Sequence, residues 1–397
     1  MDEFVPDSAE PGLPEPPPLP VAEPAARSRR RTWLWISGAV VITALTVAGV
    51  QLWANLSYDD AEETFLHARV AAAPATATLI ATMDSADERT AAARALDGVS
   101  TPELLGADDR AALSEAAEGL SKHRAEAERI GLSIPREPAK KPVMPWELFG
   151  QASDLGERAS ALEDRTAAQD DAARSLDDEV GDVDALGGRI LDAAQAAVPA
   201  IEKASVDSRF APIIELRKAD DEVKNSGDRL DENASASMLR LDKAVTAVRA
   251  SATTELAAKA GPLYDTRRKI EAYARSISGG VLLEFVWTDR LLGQGAGQSG
   301  AGTATWDAND GGTSHITLTN SIARYWPAEW TRALVAHEVG HSISAKCYEK
   351  FDWENEQANE QWATAWAMSW GYDAYPAGAD NYGMPPKSML QAAKTCR

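Results

Sequence analysis

His337-Glu338-Val339-Gly340-His341 reads H-E-x-x-H. On a helix, residues four apart lie one above the other, so both imidazoles leave the same face. Two neutral imidazoles at that spacing suit a tetrahedral Zn2+. Glu338 then lies beside the metal, where a carboxylate can take a proton from a water molecule. The chain has five histidines in 397 residues, so the motif does not follow from a histidine-rich composition.

The flanks predict the element that carries these residues. Ala333-Leu334-Val335-Ala336 before the motif and Ser342-Ile343-Ser344 after it hold no charge, which predicts a buried helix. Tyr325-Trp326-Pro327-Ala328-Glu329 reads as its start, with proline in the first turn and an acid near the positive end of the dipole. Trp330, Leu334, His337, His341 and Ala345 share one stripe. The bland alternative is a core helix with two buried histidines and no metal.

A zinc peptidase needs a third protein ligand and keeps a fourth position for water. Glu354 to Gly371 reads as the next helix, with Glu356 and Glu360 one turn apart. Ala363 and Ala367 follow on the face of Glu360, so small residues would let two helices approach closely. Glu356 lies in the polar run Glu354-Asn355-Glu356-Gln357 and fits a solvated surface better. Trp362, Trp366 and Trp370 form a separate stripe, suited to core packing.

His337–Ala367 resembles the gluzincin branch of the zincin metallopeptidases, above all its small bacterial members. In these, H-E-x-x-H is followed on the next helix by E-x-x-A-[D]-x-x-A, matched here by Glu360-Gln361-Trp362-Ala363-Thr364-Ala365-Trp366-Ala367. The resemblance implies His337, His341 and Glu360 as zinc ligands and Glu338 as general base. Thr364 stands where the family often has an aspartate that partners a histidine. Such partners tune the metal, so this departure bears on activity more than on metal binding. Cys347 is a rival third ligand, six residues after His341, where another zincin group places one. That group needs glycine at the position of Ser344, and a disulfide to Cys396, the only other cysteine, is the favoured fate of Cys347.

Upstream, Trp33 to Leu52 carries no charge, and twenty helical residues span about 30 Å, a bilayer core. Arg27, Arg29, Arg30 and Arg31 precede it, and Asp59, Asp60, Glu62 and Glu63 follow it. The pattern predicts a single uncleaved transmembrane helix over 33–54, with the N-terminus cytoplasmic and the rest extracytoplasmic. The rival, a cleaved signal peptide, fits less well: the run is long and lacks a small-x-small end. Residues 1–32 read as a disordered, proline-rich acidic tail. The net charge of −21, from 61 acidic and 40 basic residues, excludes a nucleic-acid partner from the reading.

Residues 57–277 are rich in Ala, Glu, Asp, Arg and Leu. Leu176, Val180, Val183, Ile190, Ala194, Ala197 and Ile201 follow a four-three spacing interrupted by Gly187, which predicts an α-helical bundle or coiled-coil stalk able to self-associate. Breaks are expected near Gly98–Pro102, Ile134–Gly150, Ser205–Ser208, Asn225–Gly227 and Gly261–Pro262. Tryptophans then concentrate in 279–397. Val281–Trp287, Thr303–Trp306 and His315–Thr319 read as strands, and Gly293–Gly302 as a flexible loop with no phosphate-loop lysine after it. By the resemblance, His315–Thr319 is the edge strand that pairs with a substrate backbone.

The fold class expected is therefore multi-domain: a tail, a single transmembrane helix, a helical stalk, and a small α+β zincin-like domain over 279–397. The function expected is a membrane-anchored, outward-facing zinc metallopeptidase acting on proteins or peptides. The alternative is an interaction protein whose stalk binds a partner and whose zinc site is catalytically silent. Tyr348, Tyr372, Tyr375, Tyr382 and His315 remain open as stabilisers of the oxyanion.

Overall fold

The structure, a computed structural model, describes the backbone from Ser28 to Arg397 and the side chains from Thr43. Most of the tail expected over 1–32 lies outside the described residues. Six long helices come first: α1 (Ser28–Ala95), α2 (Ala107–Glu128), α3 (Pro145–Ala204), α4 (Phe210–Lys224), α5 (Glu232–Ala258) and α6 (Tyr264–Ile277). Strands β1 (Leu282–Thr288), β2 (Gly302–Asp307) and β3 (Thr313–Thr319) follow. After them come α7 (Asn320–Tyr325), α8 (Glu329–Ser342), α9 (Ser344–Cys347), α10 (Glu356–Ser369), α11 (Asp380–Tyr382) and α12 (Lys387–Lys394). The helix breaks fall where glycine, proline and short polar residues cluster.

The membrane-spanning helix expected over 33–54 is not upheld. Among the described residues, no helix is long and apolar enough to cross a membrane. The run is the beginning of α1, a helix of 68 residues. Beyond it α1 is amphipathic: Ala54, Tyr58, Phe65, Ala68 and Ala72 are buried at helical spacing, while Asp59 and Asp60 are exposed. The anchor at 33–52, the fold class that includes it, the outward orientation and the membrane localisation are all corrected by this finding.

The described chain divides into two compact units. The first pairs α1 up to Pro74 with the segment Ser133–Ala167. Its core joins Tyr58 and Phe65 of α1 to Leu148, Leu155 and Leu162 of α3. Trp53 meets Phe149 edge-on at 4.9 Å, and the Arg158 guanidinium lies 4.5 Å from the Phe65 ring centre.

The second unit, Ala75–Leu132 with Ala168–Arg397, holds two cores. One is a helical bundle in which Leu176, Val180, Val183, Ile190, Ala194 and Ile201 of α3 are buried as their spacing predicts. Gly187 does not interrupt α3. It lies against Leu230, where an added Cβ would come within 2.7 Å of the leucine Cβ. The other core is the sheet with α8 and α10 against it. Its order is β1-β3-β2, with β1 parallel and β2 antiparallel to β3. β3 is therefore central, and His315–Thr319 is not an edge strand as the resemblance implies. The edge nearer the H-E-x-x-H motif is β2, since Gly302 touches Glu338. A buried polar cluster connects the two cores. Lys259 pairs with Glu271 at 2.8 Å, Glu271 also accepts from Trp287 Nε1 at 2.8 Å, and Asp207 accepts from Arg268 and Arg275.

Candidate metal centre

Helix α8 begins at Glu329, after Pro327, with its acid at the positive end of the dipole. From Val335 to Ile343 every residue is buried. Helix α10 is capped by Asn355, whose side chain accepts from Ala358 N at 3.0 Å. The two helices approach because small residues meet: a Cβ on Gly340 would lie 2.8 Å from the Ala363 Cα. Trp362 Nε1 donates to Gly340 O at 3.1 Å and pins the crossing. Phe351 stacks on Trp362 with ring centres 4.5 Å apart, and Trp362 and Trp366 are buried in the core as their stripe suggests, whereas Trp370 is exposed.

This crossing brings His337, His341 and Glu360 together, with all three donor atoms within 4.8 Å of one another. Glu360 Oε2 lies 3.1 Å from His337 Nε2 and 3.3 Å from His341 Nε2. Two ligand atoms about 2.1 Å from a tetrahedral zinc are about 3.4 Å apart, so the donor set has the spacing of a metal site. The group lies within reach of one metal ion. Glu356 is exposed in the first turn of α10 and is not part of it. Cys347 is not a ligand either, because it forms a disulfide with Cys396.

The remote nitrogens of both imidazoles are held. His337 Nδ1 donates to Ala377 O at 2.9 Å, and His341 Nδ1 to Asn359 Oδ1 at 3.1 Å. Each hydrogen bond keeps a proton on Nδ1 and leaves Nε2 as the nitrogen that faces Glu360. Thr364 Oγ1 is 3.5 Å from His337 Nδ1, too long to replace the aspartate that the family pattern has there. The Ala377 carbonyl takes that place. It belongs to a turn where Gly378 has φ +116°, and a Cβ on Gly378 would come 2.9 Å from Thr364 Oγ1 and 3.1 Å from His337 Nδ1.

Glu338 is almost fully buried, and its Oε2 has no hydrogen-bond partner among the described residues. Burial drives its carboxyl above the usual range, against the pull of His337 and His341. Burial works in the same direction on Glu360, yet hydrogen bonds from both histidines bring it down to about 2. At His341 burial opposes the charged form, but Glu360 and Glu338 outweigh it and raise the imidazole. Gly302 closes over Glu338: a Cβ there would come within 2.5 Å of its carboxylate. An orphaned carboxylate oxygen beside a two-histidine, one-carboxylate set fits a bound metal and its water.

A cleft of about 530 Å3 opens onto His337 and Glu338, lined also by Gly302, Trp330, Tyr375 and Tyr382. Of the side chains left open as oxyanion stabilisers, Tyr375 and Tyr382 line this cleft, and Tyr382 is in ring contact with His337. Its ring stacks on His337 at 5.6 Å, and its hydroxyl is pushed up to about 12 by burial and by Glu360 and Glu338. Tyr372 is bonded to Tyr273 at 2.6 Å. His315 pairs with Glu284 at 3.1 Å and packs on Phe210, apart from the cleft. Sequence reasoning missed Asn359, the Ala377 carbonyl and Gly302. Only the tight Pro376-Ala377-Gly378 turn carries a signal, and it does not say which carbonyl is used. The chain matches no protein-family model, no curated protein and no solved structure.

Proposed function

We propose that this chain is a zinc-dependent metallopeptidase that hydrolyses peptide bonds in protein or peptide substrates. His337 Nε2, His341 Nε2 and Glu360 Oε2 hold the metal in this reading. A zinc ion there supplies Lewis-acid polarisation of the scissile carbonyl and lowers the pKa of water. Glu338 Oε2 takes the proton from the attacking water, and the raised carboxyl then returns it to the departing amine. Ala377 O and Asn359 Oδ1 keep both imidazoles oriented through that transfer. Tyr382 Oη donates to the carbonyl oxygen as negative charge grows on it. Burial of the α8 residues around Glu338 keeps bulk water from the proton.

The observation that carries the reading is the Glu338 carboxylate, buried with one unpartnered oxygen on the wall of an open cleft beside three metal donors. A catalytically silent clasp needs no such acid and no cleft at its metal. The test is the metal content of the purified full chain, measured with hydrolysis of a mixed peptide substrate. About one zinc per chain is expected, lost in His337→Ala, His341→Ala and Glu360→Ala and kept in Glu356→Ala. Metal retained in all four variants would overturn the site. Stoichiometric metal without any hydrolysis would favour the clasp.

A further inference from the structure

Further along β2 lies a second hollow of about 590 Å3. Trp306, Tyr348 and Trp353 form its walls. The Trp306 and Tyr348 rings lie nearly parallel with centres 6.0 Å apart, and Trp353 meets Trp306 edge-on at 5.9 Å. Trp353 is 45% exposed, so its apolar face is not spent on the core. No cationic side chain lines the hollow. Three aromatic rings around one hollow give it apolar walls of the size of a single side chain, with Thr305, Asp307 and Asn359 as its polar lining. Tyr348 follows Cys347, whose disulfide to Cys396 ties that wall in place.

Two connections join this hollow to the donor cluster. Asn359 lines it and also holds His341 Nδ1. Gly302, at the other end of β2, lies against Glu338. Gly302 and Trp306 are four residues apart on one strand, about 13 Å. β2 pairs only with β3 among the described residues, so its outer edge is free to take an added strand. Antiparallel pairing is the more stable kind. A peptide joined that way runs N to C from Trp306 toward Gly302. A bond held at Glu338 then has the hollow on its N-terminal side, within about four residues.

We propose that the hollow formed by Trp306, Tyr348 and Trp353 is a substrate subsite that selects an aromatic side chain N-terminal to the scissile bond. The proposal rests on the peptidase reading, and its test separates the two. The zinc-loaded full chain is given a peptide library and its cleavage sites are sequenced. Phe, Tyr or Trp is expected at one position up to about four residues before the cut. Trp353→Ala should lower the preference for phenylalanine over alanine there by about tenfold, the scale of one lost aromatic contact, and Trp353→Phe should restore most of it. An unchanged preference in both Trp353→Ala and Trp306→Ala, or selection only after the cut, would overturn the subsite. The Glu338→Gln full chain is also titrated with a phenylalanine peptide and its alanine twin, followed by tryptophan fluorescence. Tighter binding of the phenylalanine peptide without cleavage by the parent protein would sink the peptidase reading and keep the subsite. Equal binding of the twins would sink the subsite, whether or not the parent protein cleaves.

Discussion

Asp242 in the helical bundle and Glu338 beside the histidines are both buried acids, and their surroundings treat them in opposite ways. Asp242 has both oxygens occupied. Oδ2 accepts from Ser100 N and Ser100 Oγ, and Oδ1 from Thr101 N at 2.8 Å. Burial works to raise its carboxyl, but these donors outweigh burial and hold it below the ordinary aspartate range. Glu338 has an oxygen with no partner, and its carboxyl is raised. A carboxylate that serves the fold is surrounded by donors that keep it charged and still. Under the proposed function, Glu338 keeps an oxygen free, at a cost in stability, so that it can exchange a proton.

The contrast can be broken by exchanging each acid for its amide. Glu338→Gln should lower kcat by about 10^2- to 10^4-fold, the share of a general base, while zinc stays bound. It should leave the melting temperature unchanged or raise it, because the amide removes a buried charge. A large drop in stability with full activity would mean that Glu338 is a structural acid like Asp242. The imidazole partners give the next effect. Asn359→Ala should weaken zinc binding by about 10- to 100-fold, measured by competition with a chelator. Unaltered affinity would show that the bond from His341 to Asn359 does not orient the ring.

The parts of this site legible in the sequence are those carried by side chains at helical spacing. His337 and His341 at four residues, and Glu360 with Ala363 and Ala367 on its face, are set by the period of α8 and α10. The pairing of Cys347 with Cys396 follows from there being two cysteines. The helix breaks at Gly98–Pro102, Asn225–Gly227 and Gly261–Pro262 are local turn chemistry and were equally readable. What spacing does not carry is partnership between distant segments. β3 is central because β1 pairs with it across a long connection, and nothing in His315–Thr319 encodes which neighbour it takes. The Ala377 carbonyl is backbone and leaves no residue type to notice. Tyr382 is one tyrosine of eight until α11 brings it over His337. The apolar run at 33–52 continues without a break into the amphipathic part of a 68-residue helix, and an apolar composition does not show that continuation. The amphipathic part begins at Ala54 and Tyr58.

The smallest effect expected is on Asp242, and it has a pH signature. Asp242→Asn should destabilise the protein by about 1.5 kcal/mol, the scale of a hydrogen bond to a charged group, without changing zinc content. The folded carboxyl lies below its unfolded value of about 3.9. The unfolded chain therefore binds the proton first as pH falls. The contribution is fully present above about pH 4 and disappears as pH drops through the lower, folded value. Urea midpoints of the parent chain and Asp242→Asn should differ at pH 7 and converge in acid. A gap that persists undiminished through acid would mean that the asparagine disturbs packing rather than charge. The paired experiment on Glu338 has the opposite sign. Its folded carboxyl is raised, so the unfolded chain holds the weaker claim on the proton, and the penalty for burying Glu338 appears only as pH rises through its unfolded value. Glu338→Gln should therefore gain stability relative to the metal-free parent at neutral pH and lose that advantage in acid. If both variants moved in the same direction with pH, the two acids would not differ in the way their hydrogen bonding implies.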